Sequence, residues 1–425
     1  ALTVAAVPLW MHLSLPHECR SRVERALAAM EVGTNPDARR QMKLHAALGG
    51  SLIYTRGATG AETGAAWTKA LMLAESLEDA EYQLRSLWGL CFSHTAAGRL
   101  RVALELAQRC YTLATNRSDS NYRLVAEGQI GVSQFYLGDL PAARRHIERV
   151  LADYVGSDHR SRIIPFQVDA GVTARVFLAW ILWLQGFPEQ AMRAAESSIE
   201  DARATNRVLT SCYALALAAC PIALLVGDLA ATERYTGTLL DHSSRYALTR
   251  WRALGRGYQG VLAIKRGGVA TGLPLLRAGL DELGEAKFAV YWLITFVMAE
   301  ALGPAGQISE GLTVVEEAIA QSEHTEGRSL LAALLRVKGE LLLSQDAPGA
   351  AAAGEDHFRQ ALDWARRQGT VSWELRAATS LARLLRDQGR SADAMALLQP
   401  IYDQFTEGFG TADLKAAKAL LDTLQ

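Results

Sequence analysis

Residues 84–103 read LRSLWGLCFSHTAAGRLRVA, and their spacing decides the fold. Leu84, Leu87, Trp88 and Cys91 fall at the three- and four-residue intervals of one helix face. Gly98 marks the end of that helix, because the residue just past a helix takes a positive φ that glycine adopts without strain. Cys91 stands seven residues before this glycine and Ala103 five after it. Working outward, the same arrangement returns along the chain. Stepping back seven residues from successive turn glycines reaches Cys91, Gly131, Ala179, Cys220, Gly260, Ala299 and Ala382, and Gly50 and Gly339 fit the same role. These nine small residues are 39–48 apart. Ala103, Ala143, Ala191 and Ala394 hold the second register, five residues after the turn, with Thr232, Gly272 and Gly311 as weaker matches. Small residues on two consecutive helices let those helices cross closely. Each unit is therefore a helical hairpin of about 40 residues, and a period of that size predicts a solenoid.

The expectation is an all-α fold: a right-handed superhelical solenoid of about nine tetratricopeptide-like helix pairs with capping helices. Alternating β-branched runs bounded by turns are missing. Residues 1–36 form an N-terminal linker and capping helix, 37–406 the solenoid and 407–425 a C-terminal capping helix, since a bare end repeat would expose an apolar face. The closing helix is amphipathic through Leu414, Ala417, Leu420, Leu421 and Leu424. Two segments break the rhythm. Gly156–Asp169 is a long polar loop, and Ala347–Gly354 reads as a flexible insertion inside one unit. Val208–Gly227 runs 20 residues without a charge. That is long enough to span a membrane, but it falls in phase with the repeat, so an inner helix buried on all sides is the better reading. Pro221 should kink it, because proline removes one backbone hydrogen bond.

The motif Leu90-Cys91…Gly98-Arg99…Ala103, repeated as Ile130-Gly131…Gly138-Asp139…Ala143, resembles the tetratricopeptide repeat. The period is longer than that family's, and resembles the long-helix form in the sensor domain of the bacterial maltotriose-responsive transcription activator. Leu9-Trp10-Met11-His12-Leu13-Ser14-Leu15-Pro16-His17-Glu18 resembles the segment that follows the ATPase core in bacterial winged-helix regulators of the signal-transduction ATPase class. Phe405-Thr406-Glu407-Gly408-Phe409 and Thr411-Ala412-Asp413-Leu414-Lys415 resemble the end of those regulators and of repeat-bearing class III adenylate cyclases. The resemblance implies a C-terminal sensor domain. Its partners would be the upstream ATPase and DNA-binding domains of the same parent chain. A chain opening on Ala1 rather than methionine fits that expectation. A stand-alone scaffold for a peptide or protein, or the regulatory tail of a class III adenylate cyclase, remain the alternatives.

Composition narrows the function further. Half of the 425 residues are apolar, 21% are charged and the net charge is −1. A disordered chain is excluded, and the basic excess of a dedicated nucleic-acid binder is missing. Five cysteines without a CxxC fit reduced thiols in a cytoplasmic protein. No signal peptide opens the chain. The phosphate-loop pattern is absent, and the run Gly57–Gly64 lacks the lysine it needs. Neither HExxH nor Gly-x-Ser-x-Gly occurs, and His94 reads as a satisfied interior histidine. Glu196, Glu200 and Asp201 read as a solvated face. The expectation is a protein with no catalytic residues, no cofactor and no metal, which binds neither nucleic acid directly nor a membrane.

In tetratricopeptide repeats the first helix of each pair lines the concave surface. By that resemblance, positions 13, 10, 6 and 3 residues before the turn glycine face inward. In the second unit they are Arg85, Trp88, Phe92 and Thr95, in the third Val125, Gly128, Val132 and Phe135, and in the fourth Thr173, Val176, Trp180 and Trp183. The seventh unit places Leu293, Phe296 and Glu300 there, and the ninth Arg376, Thr379, Arg383 and Arg386. The candidate binding face is thus Arg85, Trp88, Phe92, Phe135, Trp180, Trp183, Phe296, Glu300, Arg376 and Arg383. It would receive a small-molecule inducer or a peptide or protein partner. The competing reading is a tightly wound superhelix whose inner face packs on itself or on the loop 156–169.

Overall fold

The computed structural model describes residues 2–13, 15–31, 37–154, 168–283, 292–345 and 347–425. All the regular elements among them are helical, and none is a strand. Helices α1 (Leu2–His12) and α2 (Pro16–Glu31) form the N-terminal cap. Val7, Met11, Cys19 and Val23 bury its inner side against Leu44 and Ala47. Much of the expected linker is therefore itself a helix.

Nine hairpins follow among the described residues. The first four are α3 (Ala38–Thr55) with α4 (Ala61–Ser76), α5 (Ala80–Ala96) with α6 (Leu100–Asn116), α7 (Ser120–Leu137) with α8 (Leu140–Tyr154), and α9 (Ala170–Leu184) with α10 (Pro188–Ala204). In the fifth, α11 (Val208–Ala214), a π-helical turn (Leu215–Ala219) and α12 (Cys220–Val226) make one rod that pairs with α13 (Leu229–Arg245). The others are α14 (Thr249–Lys265) with α15 (Val269–Leu283), α16 (Trp292–Leu302) with α17 (Ile308–Thr325), α18 (Leu331–Leu343) with α19 (Ala350–Gln368), and α20 (Val371–Asp387) with α21 (Ser391–Tyr402). Helix α22 (Ala412–Thr423) closes the array on Leu414, Ala417, Leu420 and Leu421. Asp37, Asp79, Asp119 and Asp169 start the first four inner helices, each carboxylate accepting a backbone N–H three residues on. Most of the polar loop, 155–167, lies outside the described residues.

The two small registers meet as the spacing requires. A Cβ on Gly260 would lie 2.8 Å from the Gly272 carbonyl oxygen, and one on Gly272 would lie 2.6 Å from that of Gly260. In the second hairpin the Cys91 thiol donates to the Ala103 carbonyl at 3.3 Å. Ala347–Gly354 is not an insertion: Ala350–Gly354 begins α19, as alanine's helix propensity favours. Gly354 packs there against Leu343 and the Gly339 carbonyl.

The apolar stretch Val208–Val226 is 89% buried by its neighbours. Pro221 does not break it, because the backbone rearranges around the missing donor. The Cys220 N–H bonds back five residues to the Leu215 carbonyl, which makes the π turn. The Ala216 and Leu217 carbonyls accept from side chains instead: the Tyr258 hydroxyl at 2.6 Å and the Trp180 indole N–H at 2.6 Å. Two aromatic residues thus replace ladder bonds that the proline disrupts.

The superhelix returns onto itself. The turn at Gly98 meets Thr325, that at Gly138 meets Gln368, that at Gly186 meets Val371 and Phe405, and that at Gly227 meets Ala412. Units two to five therefore touch units seven to nine and the closing segment along a seam. Arg101 donates through two nitrogens to Glu326 at 2.7 and 2.6 Å. At the other end Glu407 accepts from the backbone N–H groups of Glu189 and Gln190, both at 2.9 Å, and so caps α10. Glu189 in turn accepts from the Gly408 N–H at 3.0 Å. A Cβ on Gly408 would lie 2.1 Å from Pro188.

The hairpin crossing yields opposite expectations for two glycines. Gly260→Ala would press a methyl onto the fixed Gly272 backbone and should cost about 2 kcal/mol or more, despite better helix propensity. Gly128→Ala meets nothing nearer than Val150 at 3.8 Å and should gain about 0.5–1 kcal/mol. Urea unfolding of both variants measures the contrast.

Candidate functional site

A cleft of about 1100 Å³, open solvent at its mouth included, lies on the concave side of the first six units. Each inner helix contributes a short stretch of its face. Ile53 and Tyr54 come from α3, Trp88 and Phe92 from α5, Val125, Gly128 and Gln129 from α7, and Ala170 and Thr173 from α9. Leu209, Tyr213 and Leu217 extend the wall along the fifth unit, and Leu248, Arg250, Trp251 and Leu254 close it at the sixth. His17 of α2 and Val168 complete the lining. Trp88 and Phe92, one helical turn apart, stack with ring centres 5.7 Å apart and planes 20° apart. Tyr213 meets Trp251 edge to face at 6.3 Å. Burial is the first influence on the Tyr54 phenol and pushes its pKa up, against the pull of Arg207 and Arg250 nearby.

The ten expected residues do not share one surface. Only Trp88 and Phe92 line the cleft. Arg85 is buried beside it on α5, where it donates to Glu81 at 2.7 Å and to the Tyr122 hydroxyl at 3.5 Å and covers the Tyr82 ring. Phe135 packs edge-on against Tyr136 and Phe177 between α7 and α9. Trp180 is held by the Leu217 carbonyl, as described above. Arg383 is exposed on α20, and the Leu293 side chain lies outside the described residues.

The other four meet at the seam. Trp183 packs edge to face on Trp373 with centres 4.6 Å apart, and Phe296 lies 5.8 Å from Trp373. The Arg376 guanidinium sits over both indoles, at 5.2 Å from Trp183 and 5.1 Å from Trp373. It also donates to Asp413 at 2.8 Å and to the Leu225 carbonyl at 3.3 Å. Ser372 donates its hydroxyl to the Trp183 carbonyl. Glu300 accepts from Arg336 and pairs with Lys265 at 3.7 Å. This inner face packs on itself because the final units fold back over α9. Trp183, Phe296, Glu300 and Arg376 are structural there, not a ligand surface.

The inward-facing rule reaches part of the remaining wall but not all of it. Counting back from Gly57, Gly227 and Gly267 would have reached Tyr54, Leu217 and Leu254, all of them in the lining. Tyr213 and Trp251 stand further from their turns than the rule reaches.

Among the described residues, no group of three or more His, Cys, Asp or Glu side chains could hold a metal ion. All five cysteines are free and buried, and desolvation pushes the thiols of Cys19, Cys110, Cys212 and Cys220 up to about 12. His94 is only half-buried, and its Nδ1 takes no partner among the described residues. Burial first, and Arg99 second, hold its pKa below the usual value. The Gly57–Gly64 run is the turn before α4, with Gly57 at φ 94° and Gly60 at the helix start.

No family model matches the sequence, and no curated protein matches it. Solved structures are similar in fold. The Rap conjugation gene regulator of the plasmid pLS20, in complex with a Phr peptide, is 11% identical, with 89% of this chain and 96% of that chain covered at a TM-score of 0.52. NprR in complex with its cognate peptide NprX is 12% identical, with 86% of this chain and 95% of that chain covered at a TM-score of 0.45. A signal transduction ATPase with numerous domains and a tetratricopeptide repeat sensor, from Pyrococcus horikoshii, is 10% identical, with 88% of this chain and 51% of that chain covered, TM-score 0.41. The chain is thus an all-α solenoid of tetratricopeptide-like hairpins.

The seam carries a pH dependence. Burial alone would raise the Glu300 carboxyl, but Arg336, Lys265 and Arg376 together hold it below the carboxylate norm of 4.5. A depressed carboxyl stabilises the fold above its unfolded pKa and loses that contribution as pH falls through the folded value. Glu300→Gln should therefore be less stable than the parent at neutral pH. The gap should narrow as pH drops below 4.5, measured by melting temperature against pH.

Proposed function

We propose that this chain is a non-catalytic binding and sensing module whose ligand or peptide occupies the concave cleft. One observation carries the reading. Six consecutive units turn aromatic and aliphatic side chains toward one concave cleft, while no metal-holding cluster accompanies it among the described residues. The inferred mechanism is a population shift. The solenoid has a seam-closed state, and an occupant with different affinity for a more open state changes the balance. Helix α9 links the two regions, since Ala170 and Thr173 line the cleft while Trp183 packs in the seam.

The finer proposal places the module in the cytoplasm, downstream of the ATPase and winged-helix domains of a transcription regulator. The segments 9–18 and 405–415 support it by resemblance. A stand-alone regulator that captures a peptide is the second reading. In its favour, the chain covers 96% of the Rap regulator, whose structure contains a peptide.

Uptake of a neutral apolar fluorophore, N-phenylnaphthylamine, tests the cleft. One molecule should bind per chain. Val125→Trp, which fills the space from the half-buried wall of α7, should abolish uptake with little change in melting. Trp183→Ala should instead cost about 3–5 kcal/mol of stability and retain uptake at temperatures where the variant stays folded. Undiminished uptake by Val125→Trp would place the binding site elsewhere.

A further inference from the structure

We infer that the cleft takes a flat, uncharged aromatic molecule whose polar atoms are hydrogen-bond acceptors, such as an aromatic ketone, held by the N–H groups of Trp88, Gln129 and Trp251. The inference rests on the cleft being the binding site, and it specifies the chemistry of the occupant.

The walls argue for the flat body. The stacked Trp88–Phe92 pair presents aromatic surface from α5. Tyr213 and Trp251 present more from the fifth and sixth units. Aromatic walls supply large contact area at low conformational cost and accommodate planar groups by stacking or edge contacts.

The polar atoms of the lining argue for acceptors. An indole nitrogen can only donate. The Trp88 and Trp251 N–H groups take no partner among the described residues, and they are not sealed inside the protein as those of Trp67 and Trp373 are. Both residues are otherwise nearly buried, at 6% and 8% exposure, and both line the cleft. Gln129 is half-buried in the same lining. Its Oε1 lies 3.5 Å from the Cys91 thiol, and its Nε2 takes no partner among the described residues. The remaining polar side chains of the lining are occupied or solvated. Tyr54 and Arg250 already have interaction partners within the protein. Thr173 donates to the Asp169 carbonyl at 3.0 Å, the Tyr213 hydroxyl pairs with Thr173, and His17 is exposed.

The cleft thus offers unpartnered donors, and no aspartate or glutamate lines it among the described residues. Water can accept from such donors in an open cleft. An occupant that displaces the water without bringing an acceptor leaves the N–H groups unpaired and bears the cost of their desolvation. A carbonyl oxygen on a flat ring system restores the bonds. A peptide would bring a backbone N–H with almost every carbonyl, and the lining holds no carboxylate to receive it. A carboxylate ligand would surrender its hydration to neutral donors, since Arg250 is already engaged.

Fluorenone and fluorene test the acceptor, because they share one flat ring system and differ by a carbonyl in place of a methylene. Displacement of N-phenylnaphthylamine measures the affinity of each. Fluorenone should bind about tenfold or more tightly than fluorene, although fluorene is the more apolar of the two. The ratio of the two affinities is the readout in variants, because lost packing weakens both ligands alike. That ratio should fall severalfold in at least one of Gln129→Leu, Trp88→Phe and Trp251→Phe. Fluorenecarboxylate should bind more weakly than fluorenone. Equal affinities of fluorenone and fluorene, a ratio unmoved in all three variants, or tighter binding of the carboxylate overturns the inference and leaves the cleft intact as a site. Absence of N-phenylnaphthylamine uptake by the parent, or uptake undiminished by Val125→Trp, overturns the cleft itself.

Discussion

The contact between Gly260 and the Gly272 carbonyl shows the constraint on which the architecture depends. In the second, sixth and eighth hairpins a small residue near the middle of the inner helix faces a small residue early in the outer one: Cys91 and Ala103, Gly260 and Gly272, Gly339 and Gly354. Where both are glycine, backbone touches backbone. That approach sets how steeply the two helices cross, and the crossing repeats from unit to unit. A repeated rotation bends the array into a superhelix. In this chain the bend is tight enough for units two to five to meet units seven to nine.

Closure divides the inner face into two environments. Towards the N-terminus the inner helices stay apart, and Trp88, Phe92, Tyr213 and Trp251 face a cleft. Farther along α9, Trp183 meets Trp373 and the space is filled. One helix thus contributes side chains to both, and its Trp180 also satisfies a carbonyl that Pro221 cannot reach. The glutamate in the segment Phe405–Phe409 has a plain structural role. Glu407 caps α10, so the closing segment is a clasp on the fourth unit.

Much of this architecture was legible in the sequence. The turn glycines and the small residues at fixed offsets are local signals, and Gly98, Gly138, Gly186, Gly227, Gly267, Gly306 and Gly389 do adopt positive φ. The cleft was legible only in part. An inward-facing position is a local property, and Trp88 and Trp183 hold comparable ones. What separates them is whether a distant unit returns to cover the side chain. Trp183 is covered from 189 residues away, by Ser372 and its neighbours. No periodicity within 40 residues encodes that. The π turn was hidden for a related reason. Pro221 announced a lost hydrogen bond, but its repair depends on Trp180 and Tyr258, which stand 37 and 42 residues from the carbonyls they reach.

The seam also alters how such a chain comes apart. In an open solenoid each repeat touches only its neighbours, so stability is a sum of local terms and the ends fray independently. Here Arg101 holds Glu326 across 225 residues, and Glu407 holds the start of α10 across 218. Loss of the closing segment therefore exposes the fourth unit, and loss of the second unit releases the seventh. Unfolding becomes a collective event rather than erosion from the ends. Folding bears the corresponding delay, because contacts of such long reach form only after most of the array is in place.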